Sequence, residues 1–210
     1  MKTDDLIDAL VADRPAQEPP PGRALARSLA VGVPVALLLM LAILGVRPDI
    51  GEAMGGWRFP LKIATMTVLA ATAGWLAWRA AYPTARTSLS ALLVPAVLIV
   101  GGLAAETLLV PPADWARITL GHNALACLAS IPLFSLAPLA AALLALRSAA
   151  PANPRLAGAL AGLLAGGIGA TFYGLHCFDD SPFFVVVWYT IAIGFVTLIG
   201  SILGNRFLRW

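Results

Sequence analysis

The chain has 210 residues, 60% of them hydrophobic and 12% charged, with a mean hydropathy of +0.85. A soluble domain carries about 25% charged residues, so the composition excludes a soluble globular protein and leaves a polytopic membrane protein of the all-α class. The net charge of +3 is too mild to suggest direct nucleic-acid contact, and its positive members have a topological explanation given below.

The opening stretch MKTDDLIDALVAD, residues 1–13, reads as a short amphipathic helix. Leu6, Ile7, Leu10 and Val11 form one apolar stripe, Thr3 caps the start, and Asp4 and Asp5 face the positive end of the helix dipole. Asp8 and Asp13 keep the opposite face acidic. A helix this short is marginal alone in water. The stretch is therefore either a frayed tail or a docking segment that folds into a partner's groove with positive charge near it. Pro15, Pro19, Pro20 and Pro21 then make an extended linker. No cleavable signal peptide is expected ahead of the first span.

Six apolar spans follow, expected at about Leu25–Val46, Leu61–Tyr82, Leu89–Val110, His122 or Ala124 to Leu146, Leu156–Leu175 and Phe183–Leu203. This divides the chain into a docking segment and linker (1–22), a six-helix membrane bundle (23–205) and a short tail (206–210). Trp57 is expected as an interfacial anchor, and Trp75, Trp78 and Tyr82 as an aromatic belt. With the N-terminus in the cytoplasm, ten of the 14 lysines and arginines fall on the cytoplasmic side and four, Arg47, Arg58, Lys62 and Arg117, on the outer side. That bias puts both termini in the cytoplasm.

The fifth span carries Gly158, Gly162, Gly166, Ala170 and Gly174, each four residues after the last, and Gly200 and Gly204 continue the theme in the sixth. Small residues on one face let another backbone approach closely. The row serves packing within the bundle or a homodimer through the glycine-lined faces.

Both cysteines and both histidines of the chain gather at the outer ends of spans: His122 and Cys127 at the start of the fourth, His176 and Cys177 at the end of the fifth. Asp179 and Asp180 follow directly, and Glu106 lies about one turn from the outer end of the third span, where a carboxylate either snorkels to the interface or needs a partner such as His122, His176 or an outer-loop arginine. Two thiols with imidazoles suit a zinc- or cadmium-like ion, with Glu106, Asp179 and Asp180 as accessory ligands. The same thiols facing an oxidising compartment suit a Cys127–Cys177 disulfide, and no cofactor is required. The bland alternative is that cysteine is an ordinary small apolar residue in helices.

MKTDDLIDALVAD at the start, six spans, and GLHCFDDSPFFVVVWY before the last span resemble the NrsF family of membrane-bound anti-sigma factors, negative regulators of sigma F. The resemblance covers essentially the whole chain. It implies a multi-pass protein of the bacterial inner membrane whose cytoplasmic N-terminal portion sequesters an extracytoplasmic-function sigma factor. It implies further that Cys127 and Cys177 are the paired periplasmic thiols that sense heavy metals or oxidants, and that Asp4 to Val11 contact the sigma factor. The partners would be that sigma factor and membrane lipid, and the protein would not be an enzyme. The rival class is a small transporter or a thiol-redox membrane protein. Against these, the sequence has no polar residues at mid-membrane depth, no inverted repeat and no CxxC.

Overall fold

The computed structural model describes residue 3 and residues 21–82, 87–149 and 151–209. The expected docking residues Asp4, Asp5, Leu6, Ile7, Asp8, Leu10 and Val11 lie outside that range. Among the described residues the chain is all-α, with six helices long and apolar enough to cross a membrane. These are α1 (Pro21–Ile43), α3 (Arg58–Ala80), α4 (Leu89–Leu109), α6 (Ala124–Arg147), α7 (Pro154–Gly174) and α8 (Pro182–Phe207). Two short helices, α2 (Ile50–Gly55) and α5 (Pro112–Leu120), occupy stretches that the sequence suggests as plain loops. Pro112 at the first turn of α5 needs no amide hydrogen-bond partner there, which favours the helix start.

The connections α1–α3, α4–α6 and α7–α8 meet at one end of the bundle, the thiol end. The entry of α1 and the exit of α8 lie at the other, the terminal end. At the terminal end Arg155 Nε donates to Asn205 Oδ1 at 3.1 Å, tying the start of α7 to the end of α8.

α7 is the centre of the bundle. It is 67% buried along its apolar window, against 17% for α1 and α4. Its residues are small because it is gripped on two sides. Towards α8, a Cβ at Gly162 would stand 2.6 Å from the Val196 carbonyl oxygen, and one at Gly204 would stand 2.6 Å from Gly158 Cα. Towards α3 and α6, a Cβ at Gly167 would stand 2.9 Å from the Ala70 nitrogen, and one at Gly169 would stand 2.6 Å from the Ile131 carbonyl oxygen. Contacts this close are backbone against backbone, so no side chain can give way. The glycine row thus packs the bundle internally, and α8 of the same chain covers it. α1 joins the outside of α6, where Gly32 lies against Ala137, Pro138 and Ala141.

Candidate functional site

Seven residues, 175–181, join α7 to α8 at the thiol end, and each of the other two connections ties itself to them. The fit begins with the end of α1. Gly45 takes φ +69°, a left-handed conformation that ends the helix without a Cβ clash. That turn aims the Arg47 amide at the Leu175 carbonyl (3.1 Å) and leaves the Gly45 carbonyl 3.1 Å from His176 Nδ1.

Arg47 and Lys62 then enter the protein side by side. Arg47 is 6% exposed and the Lys62 side chain 1%. Arg47 donates to Asp49 through Nε (2.8 Å) and Nη2 (2.7 Å), and through Nη1 to Asp180 (2.8 Å) and the Cys177 carbonyl (3.2 Å). Lys62 Nζ donates to Asp180 Oδ1 and, at 2.9 Å, to the same Cys177 carbonyl. The guanidinium lies 4.8 Å from the Phe178 ring and 5.4 Å from the Phe59 ring. Two buried cations are tolerable because Asp180 compensates both, the Cys177 carbonyl accepts from both, and aromatic faces flank them. The hydrogen bonds that Arg47 donates to Asp49 raise its pKa despite burial, with Asp180 adding to the effect. In return the Arg47 hydrogen bond lowers that of Asp49.

The other two carboxylates are also engaged. Asp179 Oδ2 accepts from the backbone amides of His122 (3.0 Å) and Asn123 (2.9 Å) and from Asn123 Nδ2 (2.9 Å), placing its charge at the N-terminus of α6. Glu106, fully buried, accepts from Arg58 Nε and Ser181 Oγ, both at 2.9 Å. An outer-loop arginine is therefore its partner, one of the three candidates the sequence offers. Ser181 also caps the start of α8 by accepting from the Phe183 amide at 3.3 Å.

Directly below this ionic lid the surroundings turn apolar. Cys127 and Cys177 are both free and both 0% exposed, in one buried cluster with Met40, Met66, Ile131, Phe134, Phe184 and Val185. Burial raises the Cys177 thiol above its ordinary range, with the nearby Lys62 ammonium working in the opposite direction. Tyr173 and Tyr189 complete the cluster, their ring centroids 6.0 Å apart. The Tyr173 hydroxyl donates to the Asn123 carbonyl at 3.4 Å, the carbonyl that also accepts from the Cys127 amide at 2.8 Å. The Tyr189 hydroxyl belongs to the same cluster as Cys177, is fully buried, and has no hydrogen-bond partner. It ends a π-helical turn, Val185–Tyr189, of a kind that recurs at functional sites.

The structure thus gathers Cys127 and Cys177 but keeps the other suggested ligands apart from them. His122 is 89% exposed, with Nδ1 3.6 Å from Asp179 Oδ1, and His176 faces Gly45 and the Tyr173 ring. Among the described residues no three His, Cys, Asp or Glu side chains are grouped so as to hold a metal ion. Sequence reasoning offers the outer-loop arginines as partners for Glu106 alone, treats Lys62 only as a topological charge, and assigns no role to Tyr173 or Tyr189. Lys62 carries a signal nonetheless, since it is a cation already inside an apolar run.

Residues 10–210 match the family described as NrsF, Negative regulator of sigma F. Over its full length the chain is 38% identical to the whole of "Anti-sigma-F factor NrsF" from Caulobacter vibrioides (strain NA1000 / CB15N). It is likewise 37% identical to the whole of "Probable anti-sigma-F factor NrsF" from Azospira oryzae (strain ATCC BAA-33 / DSM 13638 / PS). No solved structure matches.

Proposed function

Because the chain belongs to the NrsF family of negative regulators of sigma F, we propose that it is an anti-sigma factor whose residues 4–11 hold an extracytoplasmic-function sigma factor at the membrane and release it when the Cys127–Cys177 pair reacts. It is a multi-pass protein of the bacterial inner membrane and a regulator, not an enzyme. In this reading both termini are cytoplasmic and the thiol end faces the periplasm, as the distribution of lysine and arginine suggests. Sequestration needs only binding, in competition with the polymerase. The acidic face of the docking segment steers it to a basic sigma surface.

The observation that carries the sensing half is the burial of two free thiols, one from α6 and one from the α7–α8 connection, in a single dry cluster. Oxidation of both thiols to a disulfide, with two protons and two electrons leaving to the oxidant, links those two elements covalently. A soft divalent cation bound by two thiolates draws them together in the same way. Either event competes with the packing beneath the lid. α7, which is gripped by α3, α6 and α8, carries a shift at the thiol end to the terminal end where the linker enters. For this to act as a switch, the two bundle packings must differ in affinity for the sigma factor. A homodimer through the glycine row forms no part of this proposal, since α8 already occupies that face.

The test is co-purification of the candidate sigma factor with the full-length protein, with a variant lacking residues 1–13, and with Cys127→Ser/Cys177→Ser, each before and after cadmium or diamide. Retention by the full-length protein, loss on truncation, and release by cadmium or diamide only when the cysteines are present are expected. Capture that survives truncation would refute the docking half. Release that is indifferent to the serine substitutions would refute the sensing half.

A further inference from the structure

We propose that the seam between α6 and α8 near the terminal end is a binding site for an anionic phospholipid, with an acyl chain along the groove and the phosphate on Arg147. The groove has a volume of about 430 Å³. On α6 it is lined by Leu136, Leu139, Ala140, Leu143, Leu144 and Arg147, the spacing of a single helical face. Ile199, Leu203 and Phe207, each four residues apart, supply the wall from α8. α6 and α8 each pack tightly on α7, and this seam is where they diverge on the bilayer side.

Length and charge both favour a lipid tail with an anionic head. From Leu136 to Arg147 the groove follows eleven steps of α6, about 16 Å at 1.5 Å per residue. Half of a bilayer's hydrocarbon core is about 15 Å. The lining is therefore apolar over the depth of one leaflet and becomes cationic where the headgroups begin. Arg147 is exposed at the last turn of α6 and has no ion-pair or hydrogen-bond partner among the described residues. Arg206, exposed beside Phe207 at the end of α8, adds positive charge at the same level. Basic pockets between membrane helices recognise anionic headgroups in this way. A zwitterionic phosphatidylcholine has the same tails but a cationic choline that opposes Arg147.

The experiment titrates dioleoyl phosphatidylglycerol, dioleoyl phosphatidylcholine or inorganic phosphate into the detergent-solubilised full-length protein, reading bound lipid by native mass spectrometry and stability by thermal unfolding. Phosphatidylglycerol is expected to bind about tenfold more tightly than phosphatidylcholine, because both offer a phosphate to Arg147 but only phosphatidylcholine brings a choline cation that cancels the attraction. Arg147→Gln removes that preference, Arg147→Lys keeps most of it, and Arg27→Gln on α1 leaves it unchanged. Ala140→Trp fills the groove and weakens both lipids together, and Leu144→Trp repeats that test should Ala140→Trp fail to fold. Equal affinity for the two lipids, a preference that survives Arg147→Gln, or stabilisation by inorganic phosphate equal to that by phosphatidylglycerol would each overturn the proposal.

Discussion

The ammonium of Lys62 donates a 2.9 Å hydrogen bond to the backbone carbonyl of Cys177. A cation that begins one transmembrane helix therefore holds in place the residue that carries a buried thiol between two others. Arg47 donates to the same carbonyl, and Asp180 balances both cations. Whatever loosens this triad also uncovers the sulfur beneath it.

Asp180→Asn is expected to destabilise the protein by about 3 kcal/mol, because it leaves Lys62 buried without a carboxylate and Arg47 with Asp49 alone. Asp49→Asn is expected to cost clearly less, since the Asp49 side chain is 37% exposed and solvent screens its pairing. Thermal unfolding in detergent reports the difference. Alkylation of Cys177 in a Cys127→Ser background should accelerate in Asp180→Asn and hardly change in Asp49→Asn. Equal effects of the two substitutions would show that Asp180 does not hold the lid.

Tyr189→Phe is expected to stabilise the protein by about 1 kcal/mol. The hydroxyl is fully buried without a partner, and removing an unsatisfied polar group recovers its desolvation cost while the ring keeps its packing. Tyr173→Phe should have the opposite sign, because it orphans the Asn123 carbonyl from its second donor. Unfolding midpoints of the two variants measured side by side decide this, and a matching loss in both would mean that the Tyr189 hydroxyl is satisfied in the membrane.

Stability should fall at both extremes of pH for different reasons. Cys177 has a raised value in the folded protein, so the folded state holds its proton more tightly than the unfolded chain does. Its contribution is complete below the ordinary thiol value of 9.0 and is lost as pH rises from there towards the folded value. Asp49 is lowered, so its contribution is present above 3.8 and disappears as pH falls through the folded value. Unfolding midpoints of wild type and Cys177→Ser between pH 7 and about pH 10 should diverge, the variant losing less. Parallel curves would assign the alkaline limb to another group.

The spans were legible because a run of some twenty apolar residues has few alternatives to a membrane helix. Small residues at every fourth position in α7, four glycines and Ala170, likewise announced close packing. What the glycines faced was not legible, since a row that fits a partner helix of the same chain fits one from a second chain equally well. The chemistry at the thiol end divided along similar lines. Cys127 and Cys177 could be assigned to one end from topology alone, and they share a cluster. Glu106 needed a partner, and the choice among His122, His176 and an arginine depended on side-chain direction, which spacing does not encode. The roles of Arg47 and Lys62 were hidden for another reason. Arg47 satisfies the statistics of loop charges and Lys62 those of a cation near the end of a span, and only the turn at Gly45 and the register of α3 carry them inward. The unpartnered Tyr189 hydroxyl follows a π-helical turn, which residue periodicity does not reveal.

The central position of α7 also dictates the order in which the protein can be completed. It is the fifth span to leave the ribosome, yet α3, α6 and α8 all close against it. Until residues beyond 154 have been inserted, the earlier spans have only each other and lipid against faces such as Ala70, Ile131 and Ser135. The N-terminal residues have by then long been synthesised. A chain halted before its fifth span would carry the whole of residues 1–22 and the first of the two cysteines on an unfinished bundle. Quality control of this protein therefore has a natural checkpoint at the insertion of a single glycine-rich helix.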